Sequence, residues 1–503
     1  MLSVVIFWPA VAGLVLAVLP RVAGTVSRWV WVAVSATELA LVAVMWVGYQ
    51  PPEPGRDVYA FAYEQQLAWM PSVGVSYHVG VDGISLPLVA LTAVLFLACA
   101  VYSLRENRRV CTYVVLFLLL ETVCLGLFAA LDLILFFVFF DLSIVGMYFV
   151  IAGWGHGDSR RAALMFFLYT FLGSLALLLG FIGLYVAADP NTFDMVALTR
   201  QAPLAGRAVY GTLVLLALGV GLAVKTPTVP FHTWLPPAHT DAPAAGSAIL
   251  AGVLLKMGTY GFVRIAMPIL PDAWRRYALV FVVVGVVSVL YGALVALAQQ
   301  DFKRLVAYTS VNHMGYIVLA AGAAGILAGT DTHARALAVT GAVTLMVSHG
   351  LITGALFLLA GVLHDRGGTY DMGSYGGLAA RTPVFAGVTA VAAFAGLGLP
   401  GFAQFIAEFQ VFAGSLGSAP VATALAFLGI LTMAALLLWA LHRLFLGEPG
   451  DPGRLGELAD LRPTELVATV SLLALVTAIG VAPHALLGVI APAAGTVADL
   501  VAR

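Results

Sequence analysis

Of 24 basic residues in the chain, 21 are arginines and three are lysines, Lys225, Lys256 and Lys303. Lys225 and Lys256 stand within or near the ends of long apolar stretches, whereas Lys303 sits in a loop-like Asp301-Phe302-Lys303-Arg304 run. Burial lowers the pKa of a lysine readily, while an arginine stays charged. A group that must gain and lose a proton inside a membrane can therefore be lysine and cannot practically be arginine. The plainer reading of either lysine is a fixed cation in a structural ion pair, or one that snorkels to the interface. Acids occur at similar depth: Asp141 within Phe136-Phe137-Val138-Phe139-Phe140-Asp141-Leu142, and Glu408 within Phe405-Ile406-Ala407-Glu408-Phe409. A charge at the bilayer centre costs about 2.5–3.5 kcal/mol on insertion scales, so such residues are expected to line a protein interior or a water path.

Histidines add carriers that titrate near neutral pH. His313 and His349 lie inside spans, and His232 and His239 flank the loop after Lys225, where a gate or a structural contact is as good a reading as proton transfer. Glu121 is a further candidate. Asp132 reads as a helix cap, and Glu38 sits on a peripheral early span. Asp141, Lys225, Lys256, His313, His349 and Glu408 together can form a lateral proton wire at mid-membrane depth if water fills the gaps.

The elements that must position these groups are membrane helices. The 503 residues are 62% hydrophobic and 10% charged, against roughly 25% charged in a soluble domain. Apolar stretches long enough to span recur from end to end, so the expected fold is all-α, a single integral membrane domain of about fourteen helices. They are placed near 2–20, 28–48, 84–104, 110–130, 132–153, 162–187, 208–227, 243–267, 277–299, 303–325, 335–363, 382–418, 420–446 and 464–490, with one long loop over 48–83. The first stretch has no basic residue ahead of it, the first being Arg21, and so reads as a span and not a signal peptide. Lys/Arg asymmetry puts both termini outside. Arg21, Lys303 and Arg454 then fall in inside loops, and Arg56, the terminal Arg503 and the loop acids Glu53, Asp57, Glu64 and Asp82 fall outside.

Two spans carry helix breakers: span 7 runs into Lys225-Thr226-Pro227 with Pro230 beyond, and span 12 reads Gly396-Leu397-Gly398-Leu399-Pro400-Gly401. Interrupted helices five spans apart suggest two structural repeats, as in transporters. A net charge of −1 gives no footprint for nucleic acid. Cys99, Cys111 and Cys124 form no CxxC pair, and no nucleotide-binding glycine motif occurs. A redox site, zinc site or disulfide framework is therefore not expected, and the energy for any pump must come from a partner or an ion gradient.

Lys225-Thr226-Pro227 followed by Pro230-Phe231-His232-Thr233-Trp234-Leu235-Pro236-Pro237-Ala238-His239, then Ala242-Pro243 through Leu254-Leu255-Lys256, and Asp301-Phe302-Lys303-Arg304 through His313-Met314-Gly315, resemble the signature of the antiporter-like subunits of complex I, the proton-translocating NADH:quinone oxidoreductase. The resemblance covers nearly the whole chain. It implies fourteen spans in two inverted five-helix repeats with broken helices 7 and 12. The organisation would be 1–105 for helices 1–3, 106–267 for the first repeat, 277–446 for the second and 464–503 for helix 14. Glu408, where L-type, N-type and Mrp antiporter subunits usually carry lysine, is similar to the M-type branch, as is the short stretch after span 14. By that resemblance Lys225 is the span-7 lysine, Lys256 the connecting lysine of span 8, Glu408 the exit-side acid, and Asp141 stands where the family usually has glutamate.

The implied function is proton translocation in the membrane arm of a respiratory complex in the inner (cytoplasmic) membrane. L-type and N-type neighbours and the lipid bilayer would be its partners. The chain itself would hold no cofactor, and FMN, iron–sulfur clusters and quinone would belong to partner subunits. The alternatives are an Mrp-type cation/proton antiporter subunit, another complex-I-like redox-driven pump, or a scaffold whose buried charges only specify packing.

Overall fold

A computed structural model describes residues 1–19, 24–51, 60–326, 331–447 and 459–502. Arg21, Arg56, Arg454, Arg503, Glu53 and Asp57, used above for orientation, lie outside the described residues.

Eighteen helices and one hairpin follow in chain order among the described residues: α1 (Leu2–Val18), α2 (Gly24–Gly48), β1 (Ala62–Met70), β2 (Val75–Val81), α3 (Ser85–Tyr102), α4 (Val110–Ala129), α5 (Leu133–Trp154), α6 (Ser159–Ala187), α7 (Met195–Gln201), α8 (Ala208–Lys225), α9 (Leu235–Asp241), α10 (Ala244–Ile269), α11 (Pro271–Leu297), α12 (Phe302–Gly325), α13 (Thr332–Gly367), α14 (Pro383–Gly396), α15 (Ala403–Leu416), α16 (Pro420–Phe445), α17 (Pro463–Val481) and α18 (His484–Ala502). By length and composition twelve are apolar enough to cross a membrane, with α1 and α14 as shorter apolar helices.

The helix starts are written in the sequence. Asp132, Asp194, Asp301 and Asp331 precede α5, α7, α12 and α13, and each carboxylate accepts a hydrogen bond from a first-turn N–H, satisfying donors that a helix end otherwise leaves unpaired. The cap expected at Asp132 is thus in place. Proline opens α11, α14, α16 and α17, where its missing N–H costs nothing.

Burial sorts the helices into layers. The best membrane windows of α10 and α13 are wholly buried, so these two form the central axis. The outer helices α6, α8, α11 and α16 turn large apolar side chains outward, among them Leu172, Leu213, Leu279 and Val421. In lipid, such a face needs no polar cover.

The stretch read as a long loop over 48–83 contains an antiparallel hairpin, with Ala62 opposite Val81, Leu67 opposite Tyr77 and Met70 opposite Val75. Asp82, counted among loop acids, is buried and pairs with Arg264 of α10. The hairpin is pinned to one membrane face by backbone bonds, since Leu131 N donates to His78 O at 2.9 Å and Ser76 N to Asp132 Oδ2 at 3.0 Å. His78 adds an ionic clamp. Its Nε2 lies 2.7 Å from Glu64 of β1 and its Nδ1 bonds Asp194, the α7 cap. Burial alone would lower its pKa, but Asp194, itself near Asp132, and Glu64 outweigh that and raise it above the ordinary 6.5. A raised pKa means that the clamp is complete at acid pH and is lost as pH climbs through the raised value. Hydrogen exchange of Val75–Val81 amides is therefore expected to rise with pH, beyond the intrinsic base-catalysed trend, in the native chain. In His78→Asn that excess should vanish, and an excess of the same size in the variant would place the titration elsewhere.

The last span, expected at 464–490, ends at Val481. Ala482-Pro483 stops α17, and α18 follows as a separate helix. Val489 abuts Gly83, just before α3, and Ala502 O accepts from Arg275 in the first turn of α11 at 3.0 Å. Both points lie on the hairpin face, so α18 runs along that face instead of returning through the bundle.

Candidate proton path

Two breaks organise the centre. The first lies between α8 and α9. Interrupting a helix frees carbonyls and N–H groups that lipid cannot satisfy, and here protein does so: Trp234 Nε1 donates to Val224 O (3.0 Å) and Val229 N to Ser288 Oγ (3.0 Å). Lys225 is the last residue of α8, 1% exposed, and its Nζ donates to Ser143 Oγ at 3.0 Å and stands 4.8 Å over the Phe140 ring. Asp141 shares helix α5 with both contacts and lies within electrostatic reach of Lys225 and beside the Ser174 hydroxyl. Among the described residues, however, no ion pair of 4.0 Å or less joins Asp141 to Lys225, and Asp141 Oδ1 has no hydrogen-bond partner. The lysine reaches instead a hydroxyl two residues further along α5.

The second group is a row. α10 is not a plain α-helix: Leu250–Leu254 and Phe262–Ala266 are π segments, a form that gathers at functional sites. Lys256 lies between them, fully buried, and its Nζ meets Ala251 O of the first segment at 2.5 Å and His349 Nδ1 of α13 at 2.6 Å. The His349 and His313 rings stand 5.1 Å apart at 60°. His313 Nε2 is 4.0 Å from Glu408 Oε1. Glu408 Oε1 also accepts from Gln404 Nε2 (2.8 Å), and Gln404 Oε1 accepts from Ser348 Oγ (3.1 Å), beside His349. His349 Nε2 and both nitrogens of His313 have no partner among the described residues. Buried polar atoms are normally satisfied, and water is the usual partner where protein supplies none.

Glycines let backbone come close to these side chains. A Cβ on Gly258 would meet Thr226 Oγ1 at 2.3 Å, so α10 packs directly on the first break two residues past Lys256. In the second break Gly398 has φ +70, and a Cβ there would lie 2.3 Å from Glu408 Oε2. That one position needs glycine for both conformation and space.

The other sequence candidates lie around these two groups. His239 is fully buried, stacks on Phe357 at 4.5 Å, has both nitrogens without a hydrogen-bond partner among the described residues, and lies in the electrostatic field of Lys256 and Lys303. His232 faces Tyr291 at 4.9 Å, beside the row and not in it. Glu121 accepts from Ser35 Oγ at 2.9 Å and lies near Cys124, itself near Lys225, while Glu38 faces Glu121 with both carboxyl oxygens unpartnered among the described residues.

Three features escaped the sequence reading. Lys303 is not a loop cation: it is fully buried and holds Thr240 O (3.4 Å), Ala242 O and Tyr370 OH (3.3 Å), closing the C-terminal end of α9. On the face opposite the hairpin a polar cavity of about 540 Å³ opens beside it, lined by His156, His364, Asp365, Tyr370 and Glu465 among others. Arg264, inside an apolar run, makes the buried pair with Asp82. A cation at depth was the available signal for Arg264, whereas His156 and His364 stand near helix ends and read as surface residues.

Comparison with known proteins bears on the family and the fold. The family described as NADH:quinone oxidoreductase/Mrp antiporter, TM, matches residues 130–433. NADH-quinone oxidoreductase subunit M of Rickettsia typhi is 37% identical over 436 residues, covering 86% of this chain and 85% of that one. The subunit M of Rhodobacter capsulatus is 38% identical over 89% and 86%. Among solved structures, a chain of respiratory complex I from Thermus thermophilus superposes with TM-score 0.88 at 29% identity, covering all of both chains. A chain of the Mrp complex from Dietzia gives 0.82 at 24% identity over 100% and 99%, a likeness of fold. The chain belongs to the NADH:quinone oxidoreductase/Mrp antiporter transmembrane family, on the branch of the antiporter-like M subunits of complex I.

Proposed function

We propose that the chain translocates protons along the row Lys256–His349–His313–Glu408 while redox chemistry in partner subunits supplies the energy. The observation that carries this reading is the unbroken succession of titratable groups at 2.6, 5.1 and 4.0 Å across α10, α13, α12 and α15. An ammonium at Lys256 donates to His349 Nδ1. If the proton crosses, the lysine becomes neutral and the imidazolium can give up its Nε2 proton, with the His313 ring 5.1 Å away. Proton release from His349 to His313 and on to Glu408 resets the first pair. Protons reach Lys256 from the polar cavity by way of Lys303 and His239, and the charge at Lys225, balanced by Asp141, biases whether the Lys256 site is filled. Such alternation between neighbouring acids and bases is coupled titration.

In this reading the chain contains no redox centre. FMN, iron–sulfur clusters and quinone sit in other subunits, and the neighbours are the L-type and N-type subunits of the membrane arm. It resides in the inner membrane with both termini outside, in two inverted five-helix repeats. Gentle purification from the native membrane tests the assembly. Flavin and iron–sulfur spectra with NADH:quinone activity are expected to accompany the chain at constant ratio. Recovery with only small membrane subunits and no redox partner would replace this reading with an Mrp-type cation/proton antiporter.

A further inference from the structure

α8 and α11 both begin at the hairpin face and run side by side, with Thr212 Oγ1 3.3 Å from Tyr277 OH. Two cavities lie between them. The first, of about 560 Å³, is at the helix starts and includes Arg207, Asp272, Arg275 and Arg276 in its wall. Arg275 is neutralised by Asp272 at 2.5 Å and also holds Ala502 O. Arg207 and Arg276 are exposed, and neither side chain has a hydrogen bond or ion pair among the described residues. Three cations against one acid leave an excess of two positive charges at this mouth.

The second cavity, of about 440 Å³, continues down the same two walls and is almost wholly apolar: Leu215, Leu216 and Val220 face Val280, Phe281 and Val284. Gly219 supplies its width, since even a Cβ there would lie 3.9 Å from Phe281. The groove ends on Val229, Pro230 and Phe231, in the break that follows Lys225. Its rims, Leu213 and Leu279, are 58% and 64% exposed and apolar, as a lipid-facing surface requires. Gly219 lies roughly 18 Å along the helix from Arg207 at 1.5 Å per residue, within reach of one acyl chain.

We propose that this is a binding site for an anionic phospholipid, with its phosphate between Arg207 and Arg276 and one acyl chain in the groove below. Guanidinium groups suit phosphate oxygens geometrically, and a hydrogen bond from a charged donor to a phosphate oxygen is stronger than a neutral one. A zwitterionic head group would bring its own cation toward the two arginines. The chain end rests on the residues after Lys225 and closes the break on its lipid side.

The test uses the purified native assembly in lipid discs containing phosphatidylglycerol with a photoactivatable diazirine midway along one acyl chain, followed by peptide mapping. Label is expected in 212–231 and 277–284. The double variant Arg207→Gln, Arg276→Gln should reduce it roughly twenty-fivefold, each lost arginine–phosphate hydrogen bond contributing about fivefold. Gly219→Leu, with both arginines kept, should displace label from the groove. Three results would overturn the proposal: equal labelling by a phosphatidylcholine probe, no change in the double variant, or an unlabelled groove because a neighbouring subunit covers it. Among the described residues neither arginine side chain has a partner to lose, so the variant is expected to fold, and labelling is read without proton movement, so its failure leaves the proton path untouched.

Discussion

Lys256→Met is expected to cut redox-linked proton uptake in inverted membrane vesicles by roughly a hundredfold, the lower end of what a positioned proton-transfer group contributes. Methionine has similar length and helix propensity, and it removes the side chain that, among the described residues, bonds His349 Nδ1. The imidazole then keeps an unpaired buried nitrogen at a cost of about 1–3 kcal/mol, which the assembly can absorb, as a native gel would show. Lys256→Arg separates proton exchange from a fixed cation. Arginine keeps the charge but does not release a proton, so it should fail nearly as badly as methionine. Normal uptake in Lys256→Arg would reduce Lys256 to an electrostatic post and sink the proposed route.

At the far end of the row, Glu408→Gln should abolish uptake to a similar degree with the fold intact. Glutamine is nearly isosteric and can still accept from Gln404 Nε2, as Glu408 does at 2.8 Å, but it cannot exchange a proton with His313. Gly398→Ala attacks the same group without altering its chemistry. Its Cβ would stand 2.3 Å from Glu408 Oε2 at a φ of +70, and strain of this kind costs about 1–3 kcal/mol. The carboxylate must move, so a partial loss of uptake is expected, with the quinone reductase reaction less affected than proton movement. Full pumping stoichiometry in Glu408→Gln would mean that protons leave the row before this residue.

Much of this was legible from residue types. Lysine among arginines, and acids inside phenylalanine-rich runs, stand out because each costs free energy that an apolar residue would not. Gly396–Gly401 and Thr226–Pro230 announced both breaks, since proline and glycine act on the backbone directly. What stayed hidden depends on who faces whom. Lys303 looks like a surface cation until Thr240, Ala242 and Tyr370 are seen around it. Asp82 and Arg264, 182 residues apart, reveal a pair only in three dimensions. The hairpin offered one short alternation, Val75–Val81, inside a polar loop. α18 was merged with α17 because the apolar run passes through Ala482-Pro483 almost unbroken.

The π segments on either side of Lys256 have a consequence for how the row can change over time. Each residue of an α-helix turns the chain by about 100°, and a π segment stores one surplus residue without ending the helix. Losing a single residue from Leu250–Leu254 would leave an apolar helix of nearly the same length and composition. Because that surplus residue is what the π segment absorbs, its loss would return the segment to plain α-helix with Lys256 still on the side of His349. What the shorter helix would lose is the widened turn itself, in which the Ala251 carbonyl meets Lys256 Nζ, so the surplus residue serves the lysine's surroundings and not its direction.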